Sequence, residues 1–242
     1  MEKHFNTLVI LLIVLITIIK LVFSPDARIT EPYNIAQQLL DTGEFKYWIN
    51  NGFNYNYQFP IYPTLLAGVF WIYNHISAAI VFNLILGGFS AWFFYKILSS
   101  FFRQKWIILV GLGVLLLHPG FFLYQAGAIH PFSLDFLFVT LLTYGWVCWE
   151  RLDFKKVLLY GTIVGLAVLN RPTLVVFAIP IIWKLAKSFR TKRFINYSLI
   201  CLSISILPVS LWLVRNHQHY DSFSLNSSYG QNLWIGIQEE TE

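Results

Sequence analysis

Charge is scarce in this 242-residue chain. Asp, Glu, Lys and Arg together make up 12% of it, about half the share of a typical soluble domain. That shortage excludes an ordinary water-soluble domain, which could not hide the apolar surface left over. Cysteine is nearly absent too. Cys148 and Cys201 both lie inside apolar segments, so no disulfide framework or cysteine metal cluster can be built from them. The six histidines show no HExxH or paired-ligand spacing, and no metal or cofactor is expected. What is abundant is apolar: 57% hydrophobic residues, 18% aromatics and a mean hydropathy of +0.59. A disordered chain is excluded by the same figures.

Run length carries the argument further. Phe5 to Phe23 is nineteen residues with one charge, Lys20, long enough to cross a hydrocarbon layer of ~30 Å as a helix. No small-x-small cleavage site follows it, so it reads as an uncleaved first membrane helix. Further apolar segments run over about 76–100, 106–125, 132–149, 157–170, 173–186 and 195–214. The expected fold is therefore all-α, a single polytopic membrane domain of about seven transmembrane helices over residues 1–242. Asn170-Arg171-Pro172 separates 157–170 from 173–186, which predicts a tight helical hairpin.

The net charge of +5 reads as topology rather than as a nucleic-acid surface, because the basic residues are scattered between apolar segments. With the N-terminus in the cytoplasm, 12 of the 17 basic residues fall inside. The positive-inside rule thus favours N-in, C-out. Lys20, Arg28, Lys46, Arg171 and Arg215 then lie at or near the outer surface. Nine of the twelve acids share that face: Asp26, Glu31, Asp41, Glu44, Asp135, Asp221, Glu239, Glu240 and Glu242. Any chemistry is expected there.

The first outer loop, 24–75, is polar at its start. Ile35, Ala36, Leu39 and Leu40 recur at helical spacing and Gly43 follows as a stop, predicting a short amphipathic helix from about Glu31 to Asp41. Asn50-Asn51-Gly52 marks a turn. A short apolar helix is expected at about Pro60 to Tyr73, at the interface. The tail 215–242 lies on the outer side.

Several residues carry possible chemistry. Asp26 follows the first span directly and is equally readable as a solvated loop acid or as a base. Glu31 at a helix N-terminus has the plainer explanation of complementing the helix dipole. Arg171, between two short spans, is a phosphate partner by the planar fork of its guanidinium, or a snorkelling interfacial cation. Arg215 reads first as a charge at a helix C-terminus. Asp135 is an acid inside an apolar segment, a rarity that marks either a polar cavity or the headgroup layer. His118-Pro119 and His130-Pro131 are expected to bracket an outer turn as structural residues. The cluster Phe53, Asn54, Tyr55, Asn56, Tyr57, Gln58, Phe59 and Tyr62 has the composition of a sugar-binding surface and equally of an interfacial aromatic belt.

The order of these features resembles one family. After the first span and an acid come Tyr33-Asn34-Ile35-Ala36-Gln37-Gln38-Leu39-Leu40-Asp41-Thr42-Gly43 and then Phe59-Pro60-Ile61-Tyr62-Pro63-Thr64-Leu65-Leu66. Gly165-Leu166-Ala167-Val168-Leu169-Asn170-Arg171-Pro172-Thr173 follows, then Trp212-Leu213-Val214-Arg215-Asn216 and Gly230-Gln231-Asn232-Leu233-Trp234-Ile235-Gly236. This set, over most of the chain, is similar to polytopic glycosyltransferases of the GT-C class, in particular the protein O-mannosyltransferase and aminoarabinose transferase group.

That resemblance implies a transferase in a bacterial plasma membrane, taking a sugar from a polyprenyl-phosphate donor to a lipid, glycan or protein acceptor on the outer face. It implies Asp26 as first choice for the base and Glu31 as second, with Arg171, Arg215, Tyr33, Tyr62 and Asp135 in the substrate site. Two departures stand out. Asp26 and Glu31 are separated where the family often has adjacent Asp-Glu, and family members are longer, so the chain is expected to be a short or truncated member. The alternative is a non-catalytic membrane protein, such as a transporter or flippase component.

Overall fold

The computed structural model describes residues 2–24, 27–49 and 52–228. Asp26, Asn50, Asn51 and the Gly230–Gly236 motif lie outside the described residues. The chain is almost entirely helical. Helix α1 (Glu2–Val22) is followed by α2 (Glu31–Thr42), a two-stranded antiparallel hairpin of β1 (Tyr47–Ile49) and β2 (Gly52–Asn54), and α3 (Ile61–Ile72). Then come α4 (Ile76–Phe101), α5 (Lys105–Leu117), α6 (Pro119–Ala126), α7 (Phe132–Cys148) and α8 (Phe154–Asn170). A 3₁₀ helix (Pro172–Phe177), α9 (Ala178–Ser188) and α10 (Thr191–Tyr220) complete it.

Among the described residues three helices are long and apolar enough to cross a membrane: His4–Val22, Ile76–Phe101 and Thr191–Tyr220. A fourth is obtained if α5 and α6 count as one span broken by 52°. These helices carry their apolar side chains on the outside, with Leu11 60% and Leu211 63% exposed. Such surface belongs in lipid and marks a membrane protein.

The break between α5 and α6 corrects one expectation. His118-Pro119 does not lie in an outer turn; it bends a helix. Pro119 has no amide hydrogen and forces the residue before it out of the α conformation, and His118 is extended (φ −61°, ψ 125°). The Gly120 N–H donates to His118 Nδ1 at 3.1 Å, capping α6. The predicted hairpin of 157–170 and 173–186 is also altered. Pro172 starts a 3₁₀ segment rather than an α-helix, and only from Ala178 does the second arm become α-helical. The last helix runs past Arg215 to Tyr220.

The amphipathic α2 forms as expected and stops at Gly43, whose φ of 72° is the left-handed conformation a glycine takes without steric cost. The β-hairpin was not anticipated: Trp48 and Phe53 pair across it with rings 4.9 Å apart.

Two apolar cores hold the helices. The larger joins α3, α4, α7 and α8 around Tyr62, Leu66, Leu142 and Val164. The smaller joins α1, α4, α5 and α6 around Val9, Tyr95, Leu112 and Phe121. Lys20 is drawn into this second region. It is 2% exposed, donates to Gln125 Oε1 at 2.8 Å and lies over the Phe121 ring. Its side chain thus packs inside the protein rather than facing water. Helices α8 and α10 approach most closely. A Cβ on Gly161 would lie 2.7 Å from the Cys201 carbonyl oxygen, and one on Gly165 2.5 Å from that of Ser205. Ser205 Oγ donates to the Gly161 carbonyl at 2.9 Å across this seam. Small residues at facing positions are what allow membrane helices to pack backbone to backbone.

Candidate functional site

Backbone constraints at the end of α8 build the site. Pro172 disfavours the helical conformation for the residue before it, so Arg171 is extended (φ −153°, ψ 109°) and leaves the helix axis. Its side chain is 47% exposed, and its Nε lies 2.7 Å from Asp135 Oδ2. Asp135 stands in the first turn of α7, where the helix dipole favours a carboxylate. Its other oxygen accepts from Asn170 Nδ2 at 2.7 Å. One buried carboxylate thus accepts a hydrogen bond from Asn170 and pairs by charge with Arg171, whose N–H is not aligned for a hydrogen bond to Oδ2. Among the described residues no acceptor bonds either Arg171 Nη group.

A second framework brings the first outer loop to the same place. Arg28 N–H donates to the Gly127 carbonyl at 3.0 Å, and Ile129 N–H to the Arg28 carbonyl at 3.1 Å. Ser24 Oγ donates to the Ala126 carbonyl at 2.8 Å, and Thr30 Oγ1 donates to that of Ile129. The start of α2, with Glu31, is thereby docked beside the loop carrying His130. Tyr62, in the first turn of α3 and 1% exposed, donates to Asn83 Oδ1 at 2.9 Å. Asn83 in turn donates to the Ala128 carbonyl at 3.3 Å.

These elements enclose a cavity of about 270 Å³. Its polar wall includes His130, Asn170, Arg171 and Asn226, and its aromatic wall Phe59 and Tyr62. The volume is just below the ~300–1,000 Å³ of small-ligand pockets. Two buried amide oxygens here, Asn170 Oδ1 and Asn226 Oδ1, have no hydrogen-bond partner among the described residues.

Electrostatics tie His130 and Glu31 to the cavity. Burial, and secondarily the positive charge of Arg171, push His130 below its ordinary value, while Glu31 opposes this. The Phe132 N–H donates to His130 Nδ1 at 3.2 Å, so the neutral ring carries its proton on Nε2. Burial raises the phenol of Tyr57, with the charge of Glu31 contributing next. Glu31 itself forms no ion pair among the described residues.

The residues singled out from sequence are thus distributed unevenly. Arg171 and Tyr62 line the cavity, Asp135 pairs with Arg171 without lining it, and Glu31 acts on its histidine. Tyr33 does not line it; its ring packs edge-on against Phe70 at 5.1 Å, joining α2 to α3. Arg215 is elsewhere. It donates to the Tyr55 carbonyl at 2.8 Å and stacks beside Trp212 and Tyr220. Asp26 lies outside the described residues. The aromatic and amide cluster divides: Gln58, Phe59 and Tyr62 face the cavity, while Tyr55 stacks on Tyr220 and Tyr57 packs against Tyr47. His130, Asn170 and Asn226 were not read as site residues. For Asn170 the adjacency to Arg171 was a usable signal; Asn226 comes from a distant segment and carried none. Among the described residues no group of three metal-ligating side chains occurs.

No protein-family model, curated protein or solved structure matches this chain.

Proposed function

We propose that the chain is a membrane glycosyltransferase using a polyprenyl-phosphate-linked sugar, with the Arg171 cavity as its reaction site. The observation that carries this reading is Arg171, ion-paired with the buried Asp135 and lining a cavity together with His130, Asn170 and Asn226. A guanidinium fixed through Nε and open at Nη suits a phosphate oxygen. The amide and aromatic side chains that share the cavity with it, Gln58, Asn226, Phe59 and Tyr62, suit a sugar.

In the proposed reaction an acceptor oxygen attacks the anomeric carbon. The bond from that carbon to the phosphate oxygen breaks, and polyprenyl phosphate leaves with the electron pair. The acceptor proton passes to a carboxylate, Asp26 by first choice and Glu31 by second. Arg171 stabilises charge growing on the leaving oxygen.

The proposed topology has seven crossings, N-terminus inside: α1, α4, α5 with α6, α7, α8, the 3₁₀ segment with α9, and α10. Cavity-lining residues come from the loop after α6, the end of α8 and the segment after α10. Alternate crossings put all of these on one side, as the proposed arrangement requires. The proposed location is a bacterial plasma membrane, with the acceptor a lipid, glycan or protein of the envelope.

The test is transfer of label from a polyprenyl-phosphate sugar to membrane acceptors, comparing wild type with Asp26→Asn and Glu31→Gln. Loss in one variant assigns the base; full activity in both removes the carboxylate mechanism.

A second reading, a transporter or flippase component, draws on the 52° break between α5 and α6, since interrupted helices form substrate sites in transporters. Uptake of labelled polyprenyl phosphate into vesicles without any sugar transfer would select it.

A further inference from the structure

From Phe154 to Tyr220 the sequence contains no Asp or Glu, but it contains nine Lys and Arg residues. Four of the nine gather where α9 gives way to α10: Lys187, Arg190, Lys192 and Arg193, all exposed. None has an ion-pair partner among the described residues. Lys187 Nζ lies 3.8 Å over the ring of the exposed Trp183. The junction is pinned rather than loose, because Phe189 meets Tyr197 edge-on at 4.9 Å and the Phe194 N–H donates to the Arg190 carbonyl at 3.0 Å. Between them lies a cavity of about 630 Å³, lined by Ser188, Phe189, Arg190, Lys192, Arg193 and Asn196.

A second, independent feature begins at the same point. Helix α10 is the least covered of the apolar helices, with 6% of its most hydrophobic stretch buried. Ile195, Leu199, Leu202 and Ile206 are exposed along it, starting directly beside the basic cavity.

We propose that this junction binds an anionic phospholipid, its phosphate headgroup among Arg190, Lys192 and Arg193 and its acyl chains along the exposed apolar surface of α10. Charge complementarity selects the head. Arginine forks match phosphate oxygens in pairs, the amide group of Asn196 supplies a further polar contact, and among the described residues no acid forms an ion pair with the cluster. The adjoining apolar helix selects the tail, which excludes free phosphate as the best fit. Basic pockets beside membrane helices at the headgroup level are suited to such lipids. Helix α9 is the floor of the site, with Ile181 and Leu185 buried in the core and Trp183 and Lys187 turned outward. This site is separate from the Arg171 cavity, with which it shares no lining residue.

The experiment is native mass spectrometry of the purified full chain with phosphatidylglycerol and with phosphatidylcholine of the same acyl chains. Wild type is expected to prefer the anionic lipid by on the order of tenfold or more, a preference that falls as salt rises. The variant Arg190→Gln/Lys192→Gln/Arg193→Gln is expected to lose the preference while keeping its phosphatidylcholine adducts. Lys155→Gln/Lys156→Gln is expected to keep it. Equal binding of the two lipids by wild type would overturn the proposal, as would a preference that survives in the triple variant. Should the triple variant not fold, a photoactivatable phosphatidylglycerol on wild type decides: crosslinks within 187–206 support the site, and crosslinks confined elsewhere overturn it. Displacement of the lipid by equimolar inorganic phosphate would identify a free-anion site and also overturn it.

Discussion

The Arg171 guanidinium and the Asp135 carboxylate meet at 2.7 Å across the gap between the end of α8 and the start of α7. The carboxylate side chain is 9% exposed and the arginine side chain 47%, so one partner is fixed in protein and the other reaches into the cavity. An arrangement of this kind positions a cation without using up its donors. Replacing Asp135 by Asn should therefore free Arg171 to reorient. The expected coupling between Asp135→Asn and Arg171→Gln in a double-mutant cycle of thermal unfolding is about 1–2 kcal/mol, discounted for the exposure of the arginine. Strictly additive effects would mean that the pair is incidental.

Arg215 makes a contrasting prediction. Its donors are spent on the carbonyls of Tyr55 and Phe45 and on Asn216 Oδ1. It ties the hairpin loop to the end of α10. Arg215→Gln should lower stability by about 1–3 kcal/mol, the usual cost of leaving part-buried carbonyls unpaired. Donor affinity should be little changed. A large rise in donor KM with unchanged melting would place Arg215 in the substrate site after all.

The α8–α10 seam is expected to tolerate no added side chain. At Gly165 a methyl group would have to displace the Ser205 carbonyl and Pro208. Gly165→Ala should cost about 1–3 kcal/mol by overpacking, and Gly161→Ala a similar amount through the Cys201 carbonyl. Gly113→Ala, with open space around its Cβ position, should be harmless. Melting temperatures of the three variants in one detergent check the pattern.

How much of this was legible beforehand depended on the range of the signal. Helix α2 could be read from Ile35, Leu39 and Gly43, because amphipathic spacing and a glycine stop are local. Arg171 and Asp135 stood out one at a time because charged groups in apolar segments are rare, yet their pairing spans 36 positions and no periodicity announces it. The bend at His118-Pro119 is masked in the sequence because apolar residues resume directly after His118-Pro119-Gly120. The burial of Lys20 is likewise not legible: a lysine near a span end ordinarily snorkels to water, and only the packing of Gln125 and Phe121 from another helix draws it inward. Asn226 at the cavity wall follows from the return of the chain after α10, which sequence spacing does not encode.

His130 supplies a pH dependence. Its folded value lies below the ordinary 6.5 because of burial and the charge of Arg171. The unfolded chain therefore binds a proton first as pH falls, so stability is greatest above about 6.5 and declines below it, levelling off once pH passes the lowered folded value. His130→Gln should flatten the fall in melting temperature between pH 7 and pH 5. Parallel curves for variant and wild type would show that His130 titrates normally.

In the proposed reaction Arg171 holds the phosphate of a lipid-linked sugar during transfer. The most direct test of this role is the initial rate of label transfer against polyprenyl-phosphate-sugar concentration, for wild type and for Arg171→Gln. Removing a guanidinium from developing phosphate charge is expected to lower kcat/KM on the order of 100-fold, with Asp135→Asn intermediate and all three proteins folded. Transfer by Arg171→Gln at the wild-type rate, or no transfer by the folded wild type with any polyprenyl-phosphate sugar, would contradict the account.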